Sequence, residues 1–184
     1  MTLQTQPRTV STWQIDPAHS HVEFAVRHMM VSTVKGRFAV RSGAIQLDEA
    51  DLTRSSVEVI IDAASIDTGE PQRDAHLRSR DFLDVEAFPT ITYRSRRVEP
   101  LEGGRFRVIG DLTIRDVTRE VALDTIMAGR MRDPWGNERT GFSATTAINR
   151  KDFGLQWNDA LEGGGILVGD EVKISIEVEA VRQS

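Results

Sequence analysis

The chain has 184 residues, 23 Lys plus Arg against 28 Asp plus Glu, a formal net charge of −5 and no cysteine. That length suffices for one sizeable core, while interspersed, mildly acidic charge lacks the basic footprint of nucleic-acid binding. Without Cys there is no disulfide framework, thiolate nucleophile or Cys-ligated zinc, and the composition fits a reducing compartment.

Residues 1–11 read as a disordered polar tail without the apolar h-region of a secretory signal. The expectation is therefore a cytoplasmic protein with one domain over 12–184. The longest aliphatic runs, Val59-Ile60-Ile61 and Ile166-Leu167-Val168, fall far short of the ~20 residues of a bilayer-spanning helix, so no integral membrane segment is expected.

In chain order, Trp13-Gln14-Ile15 is a short lead-in strand. Val22, Phe24 and Val26 alternate with polar neighbours, as do Val34, Gly36, Phe38 and Val40 with Lys35, Arg37 and Arg41. Period two means a strand with one hidden face. After Val40 the phase slips to Ile45 and Leu47, and Gly43 marks the expected bulge or bend. Val57, Val59 and Ile61 form the next strand. Asp67-Thr68-Gly69-Glu70-Pro71 then opens the only helical region, an excursion over about 70–88, with Pro in the first turn.

Strands follow at Ile91-Tyr93-Ser95, at Phe106 through Gly110 to Ile114 after the turn Glu102-Gly103-Gly104, and at Val121-Leu123-Thr125-Met127. Asp133-Pro134-Trp135-Gly136-Asn137 is a hairpin turn. Phe142-Ala144-Thr146-Ile148 and Val172-Ile174-Ile176-Val178-Ala180 complete eight major strands. No linker or internal repeat divides the chain.

Eight antiparallel strands with one apolar face fold into a sandwich or close into a barrel. A barrel of that size is either filled by side chains or holds one small ligand. Small inward residues recur (Gly36, Ser95, Gly110, Thr125, Ala144, Thr146, Ala180). They mark either unfilled space or corners where strands approach closely.

His19 and His21, with Asp16 nearby and His28 or His76 as further ligands, form the only candidate metal group. It lacks both Cys partners and a helical HExxH spacing, so no metal and no cofactor is expected. Ser20 beside His19 and Asp16 has hydrolase residue types without a G-x-S-x-G elbow, and sequence neighbours do not assemble a triad. Asp81, Asp84 and Glu86 read as a solvated face. Gly163-Gly164-Gly165 has no following Lys-Ser/Thr and reads as a loop. Phe153 and Trp157 are either plugs of a barrel end or an apolar mouth. Met29-Met30-Val31, between two strands, has the same two readings.

The ordered combination Trp13-x-Ile15-Asp16-Pro17-x-His19-Ser20, Val22-x-Phe24-x-Val26-Arg27-His28, Val34-x-Gly36-x-Phe38, His76-Leu77-Arg78-Ser79-x-Asp81-Phe82-Leu83-Asp84, Gly110-Asp111-Leu112-Thr113-Ile114, Asn149-Arg150-x-Asp152-Phe153-Gly154 and Gly169-Asp170-x-Val172 resembles the YceI-like, polyisoprenoid-binding family. The likeness runs from Trp13 to Val181. It implies an extended lipocalin-like antiparallel barrel of eight strands that holds an isoprenoid-like lipid, without catalysis and often as a homodimer. Many members of that family are periplasmic.

The resulting expectation is binding, storage or transport of a long apolar amphiphile, such as a polyisoprenoid, polyprenyl phosphate or isoprenoid quinone. Burial at ~0.8 kcal/mol per methylene lets three isoprene units supply on the order of 10 kcal/mol before costs. The expected liners are Phe24, Val26, Phe38, Val40, Val108, Leu112, Ile114, Phe142, Ile148, Ile174 and Ile176. The expected mouth groups are His28, Met29, Met30, Arg150, Phe153 and Trp157. The alternatives are a barrel isomerase or hydrolase, which needs a polar pair among inward positions, and a closed-core interaction domain.

Overall fold

A computed structural model describes residues 9–158 and 168–184. The eight expected strands are β2 (His21–His28), β3 (Ser32–Asp48), β4 (Ser56–Asp62), β5 (Thr90–Pro100), β6 (Arg105–Ile114), β7 (Val117–Met127), β9 (Glu138–Asn149) and β10 (Val168–Arg182). They pair antiparallel in the order β2-β3-β4-β5-β6-β7-β9-β10, and β10 returns to β2, so the sheet closes into a barrel. Closure turns the apolar faces of the strands toward one shared interior and pairs the two ends of the strand order. Two short strands join it: the lead-in β1 (Val10–Ile15), and β8 (Met131–Arg132), which forms a hairpin with the start of β9.

β1 and β2 share one place in the barrel. Both pair antiparallel with β10 and β3, β1 against Ala180–Arg182 and Ala44–Asp48, β2 against the remainder. The single-turn 3-10 segment Pro17–His19 interrupts them, capped by Asp16, whose Oδ1 accepts from Ala18 N at 3.0 Å. Across the gap the ladder is kept by substitutes. Asp16 N donates to Glu179 O at 2.8 Å, and Ser20 Oγ accepts from Glu179 N at 3.1 Å. The Asp-Pro-x-His-Ser run is thus a strand break in which a hydroxyl replaces a missing backbone partner, not a triad.

β1 begins inside the expected tail. Ser11 is buried, accepts from Trp13 Nε1 at 2.8 Å and donates to Glu49 Oε1 at 2.6 Å. Arg130 reaches the other oxygen of Glu49 at 2.6 Å and lies 5.2 Å from the Trp13 ring. Trp13, wholly buried, fills this end of the barrel on the same face as Ile15.

The bulge sits two residues earlier than the phase slip suggested: the β3–β4 register breaks between Val40 and Ser42. Gly43 has a different role. A Cβ there would stand 2.8 Å from Glu58 O, so its side-chain-free backbone permits close strand approach. Gly110 is likewise a close approach rather than a void, since a Cβ would meet Ser95 Cα and Tyr93 Cζ at 2.8 Å.

Between β4 and β5 the chain leaves the sheet. The helix α1 (Pro71–Arg78) starts at Glu70, which caps Arg73 N, with Pro71 in its first turn. It is shorter than the excursion as a whole; residues 79–87 continue as hydrogen-bonded turns. Few apolar residues are available to dock α1, so polar contacts fasten it. Buried Asp74 accepts from Thr68 N at 2.9 Å, and Arg73 Nε donates to Thr68 Oγ1 at 2.7 Å. Arg78 donates to the carbonyls of Ala64 and Ile66 at 2.9 and 3.0 Å. This segment also covers the flank of β3 that β4 does not reach: Arg37 and Asp67 exchange two backbone bonds, and Ser65 Oγ accepts from Ala39 N at 2.8 Å.

Candidate functional site: a cavity along the barrel

The inward faces do not fill the barrel. They enclose a cavity of about 650 Å³, within the ~300–1,000 Å³ usual for small-molecule sites. All eleven expected liners stand in its wall: Phe24, Val26, Phe38, Val40, Val108, Leu112, Ile114, Phe142, Ile148, Ile174 and Ile176. Of the small inward residues, Ala144, Thr125 and Thr146 face this space. Gly36 does not add to it, because a Cβ there would lie 2.7 Å from Phe24 Cε1.

The expected mouth groups separate. His28, Arg150 and Trp157 border the cavity. Phe153 does not; it is the last residue of the single-turn segment Arg150–Phe153 and is buried in the core, a plug rather than a lip. Met29 and Met30 also stand outside the wall. They are the first two residues of the three-residue turn that closes β2 onto β3, both exposed and both with positive φ (53° and 60°).

Arg150 is nearly buried, and its nitrogens are committed to backbone carbonyls. Nε donates to Gly169 O at 2.8 Å, and Nη1 to Leu155 O at 2.6 Å and Trp157 O at 2.8 Å. Burial lowers its pKa, partly opposed by Asp170. It fastens residues 155–157 to the start of β10 and so positions Trp157.

Trp157 belongs to an aromatic group with His76 and Phe82. The His76 ring meets Trp157 edge-on with centroids 4.6 Å apart, and Phe82 lies 5.3 Å from Trp157. His76 Nε2 is 2.8 Å from Asp81 Oδ2, which orients the imidazole. Glu70, Gln72, Arg73 and His76 of the helical excursion join His28 and Arg27 around this one end of the cavity. These excursion residues were missed in the sequence because α1 carries no apolar stripe to aim it. The motif His76-Leu77-Arg78-Ser79-x-Asp81-Phe82 is the sequence signal that holds both rings of this cluster.

Deeper in, the hydroxyls of Tyr93 and Thr125 are satisfied internally. Tyr93 Oη donates to Val121 O at 3.0 Å, and burial raises its pKa well above the usual tyrosine value. Thr125 Oγ1 donates to Leu123 O at 3.2 Å. The ionisable groups gather at one end, and the body of the cavity is apolar. Such a container binds by wall contact and orients a polar head at its rim.

His19 and His21 do not converge. His19 Nδ1 lies 2.9 Å from Asp16 Oδ2 and 3.4 Å from Glu179 Oε2, whereas His21 faces Glu23. Asp16, His19 and Glu179 are close enough to share an ion, but Arg139 Nη1 already stands 3.0 Å from Asp16 Oδ2 and 4.0 Å from Glu179 Oε2. Gly163-Gly164-Gly165 lies outside the described residues. Among the described residues no helix is long and apolar enough to cross a membrane.

Comparison with known proteins agrees with this architecture. A UPF0312 protein of Vibrio cholerae is 39% identical over 139 residues, 76% of this chain and 74% of its own. One from Staphylococcus aureus is 36% identical over 171 residues, 92% of this chain and 97% of its own. Among solved structures, a Campylobacter jejuni YCEI protein superposes with a TM-score of 0.70 at 28% identity, covering 86% of this chain and 90% of that one. A polyisoprenoid binding domain from Saccharophagus degradans, implicated in plant cell wall breakdown, superposes at 0.66 with 15% identity over 96% of this chain and all of the other. The family model for the YceI-like domain matches residues 13–180, the whole closed barrel with its helical excursion, and the chain belongs to that family.

Proposed function

We propose that the protein holds a long apolar amphiphile (a polyisoprenoid, polyprenyl phosphate or isoprenoid quinone) in the barrel, as a carrier or buffer rather than an enzyme. The observation that carries this reading is the apolar cavity of about 650 Å³ with its ionisable groups gathered at one end. Family membership supports it, as does the likeness in fold to a polyisoprenoid binding domain. Wall contact supplies affinity at ~25 cal/mol per Å² of apolar surface. His28, Gln72, Arg73 and His76 at the rim face the head group. A non-catalytic role is supported by the hydroxyls of Tyr93 and Thr125, which are spent on carbonyls.

The test is native mass spectrometry of protein purified from a bacterial host, with organic extraction of the same sample. The expected result is added mass matching an extractable apolar chain. Bare protein with an empty extract overturns the reading.

A further inference from the structure

The tip of the β2–β3 hairpin has features that neither packing nor the cavity explains. Met29, Met30 and Val31 are successive apolar residues exposed to 43%, 64% and 78%. Both methionines hold a left-handed backbone, which suits Asn or Gly and strains other residues. Turn chemistry therefore does not ask for methionine here, and the folded chain does not bury it.

The hairpin's own charge is basic, although Arg37 and Arg41 pair with Glu23 and Asp62, and Asp170 and Glu171 lie in the β10 stretch opposite Arg27. From Phe24 to Leu47 the sequence has no Asp or Glu, although the whole chain carries −5; the same stretch holds Arg27, Lys35, Arg37 and Arg41. Arg27 braces the tip, donating to Thr33 Oγ1 and to Met30 O at 3.1 Å. Lys35 and Lys173 flank Ala25 on the outer face, in register on either side of it. The hairpin is also placed at the polar end of the cavity, since Val26, Arg27, His28 and Val34 all border it.

We infer that the Met29-Met30-Val31 tip inserts into the surface of an anionic lipid bilayer, with Arg27, Lys35 and Lys173 on the headgroups, and so presents the cavity end to the membrane. Exposed apolar side chains backed by basic residues are the interfacial pattern. Flexible methionine adapts to a disordered acyl boundary. The inference rests on the proposed lipid cargo, for which the membrane is the source or destination.

The experiment is co-sedimentation of the full chain with vesicles of phosphatidylcholine alone, and with vesicles containing one part phosphatidylglycerol to three of phosphatidylcholine. Wild type and the double variant Met30→Gln/Val31→Gln are compared at low and high salt. The expected result is binding to the anionic vesicles only, weakened by salt and about tenfold weaker in the variant, which loses the partial burial of two apolar side chains. The variant is expected to keep the wild-type melting curve and the wild-type lipid extract, since both residues lie outside the core and the cavity wall.

Equal binding by the variant, equal binding to neutral vesicles, or no binding overturns the inference. So does a dimer-to-monomer change in the variant on sedimentation, which would assign the tip to a second copy of the chain. An empty extract from both proteins instead overturns the proposed cargo, and the vesicle result then stands on its own reading.

Discussion

Gly36 lies directly against Phe24: the two residues pair across β2 and β3, and a Cβ on Gly36 would come within 2.7 Å of the Phe24 ring. The ring therefore rests over a position kept free of side chain, and its tilt against Phe38, centroids 5.5 Å apart, shapes the cavity near the rim. Thr68 Cγ2 presses from the helical excursion, 2.9 Å from the same point. Gly36→Ala is expected to push Phe24 into the cavity, with an apo stability loss of about 1 kcal/mol. Affinity for a fluorescent isoprenoid analogue should fall clearly. Unchanged affinity would mean that Phe24 does not shape the binding space.

Ala144→Leu separates a hollow barrel from a filled one. Ala144 is buried and faces the cavity. In a packed core three added carbons cost about 1–3 kcal/mol; here they enter open space. Denaturant melts of delipidated protein are expected to show stability held or slightly raised, while titration with the same analogue shows weaker binding. A large stability loss with binding untouched contradicts both the cavity and the function built on it.

Arg150→Met removes the guanidinium that gathers the carbonyls of Leu155, Trp157 and Gly169. Leaving those groups without their charged donor is expected to cost on the order of 3 kcal/mol by denaturant melt. Trp157 fluorescence should shift as the residue loses its anchor. Arg150→Lys should recover little, because an ammonium cannot span the same fork of acceptors. Full recovery by Lys would show that charge alone matters at this position.

Stability should depend on pH through two groups of opposite sign. His19 has a raised pKa, chiefly from its hydrogen bond to Asp16 and then from Glu179. The protonated form is favoured in the folded state, so its stabilisation is complete below the unfolded value near 6.5 and is lost as pH rises through the folded value. Glu49 has a lowered pKa, chiefly from Arg130 and then Ser11. Its contribution is present above the ordinary value of 4.5 and is lost as pH falls through the folded value. Melting temperatures measured across this range should flatten on the alkaline side in His19→Gln and on the acid side in Glu49→Gln. Unchanged slopes would rule out these pairs as the source.

Chelator treatment is expected to leave the melting temperature unchanged, because the Arg139 guanidinium occupies the cation position between Asp16 and Glu179. A fall that zinc reverses would show that metal displaces the arginine.

Alternation, clearest from Phe106 to Ile114 and from Val172 to Ala180, placed the eight major strands and put eleven of the wall residues on their hidden faces, because each strand has one hidden face and the period of two is local. The ordered motifs from Trp13 to Asp170 pointed to the family for a related reason: each marks a local device, such as the Asp16–Ser20 strand break or the Arg150 clasp. Sequence could not tell whether a small inward residue meant space or contact. Gly110 touches Tyr93 while Ala144 faces a void, and that difference depends on the strand opposite, not on the residue itself. Nor could it place the rim. α1 has no apolar stripe, so Arg73 and His76 reach the cavity only because Asp74, Thr68 and Arg78 tie the excursion to β3 and its flanking loop. Met29 and Met30 are expected at the mouth by their place between two strands, but they stand exposed with positive φ, a backbone outcome of the three-residue turn that closes β2 onto β3.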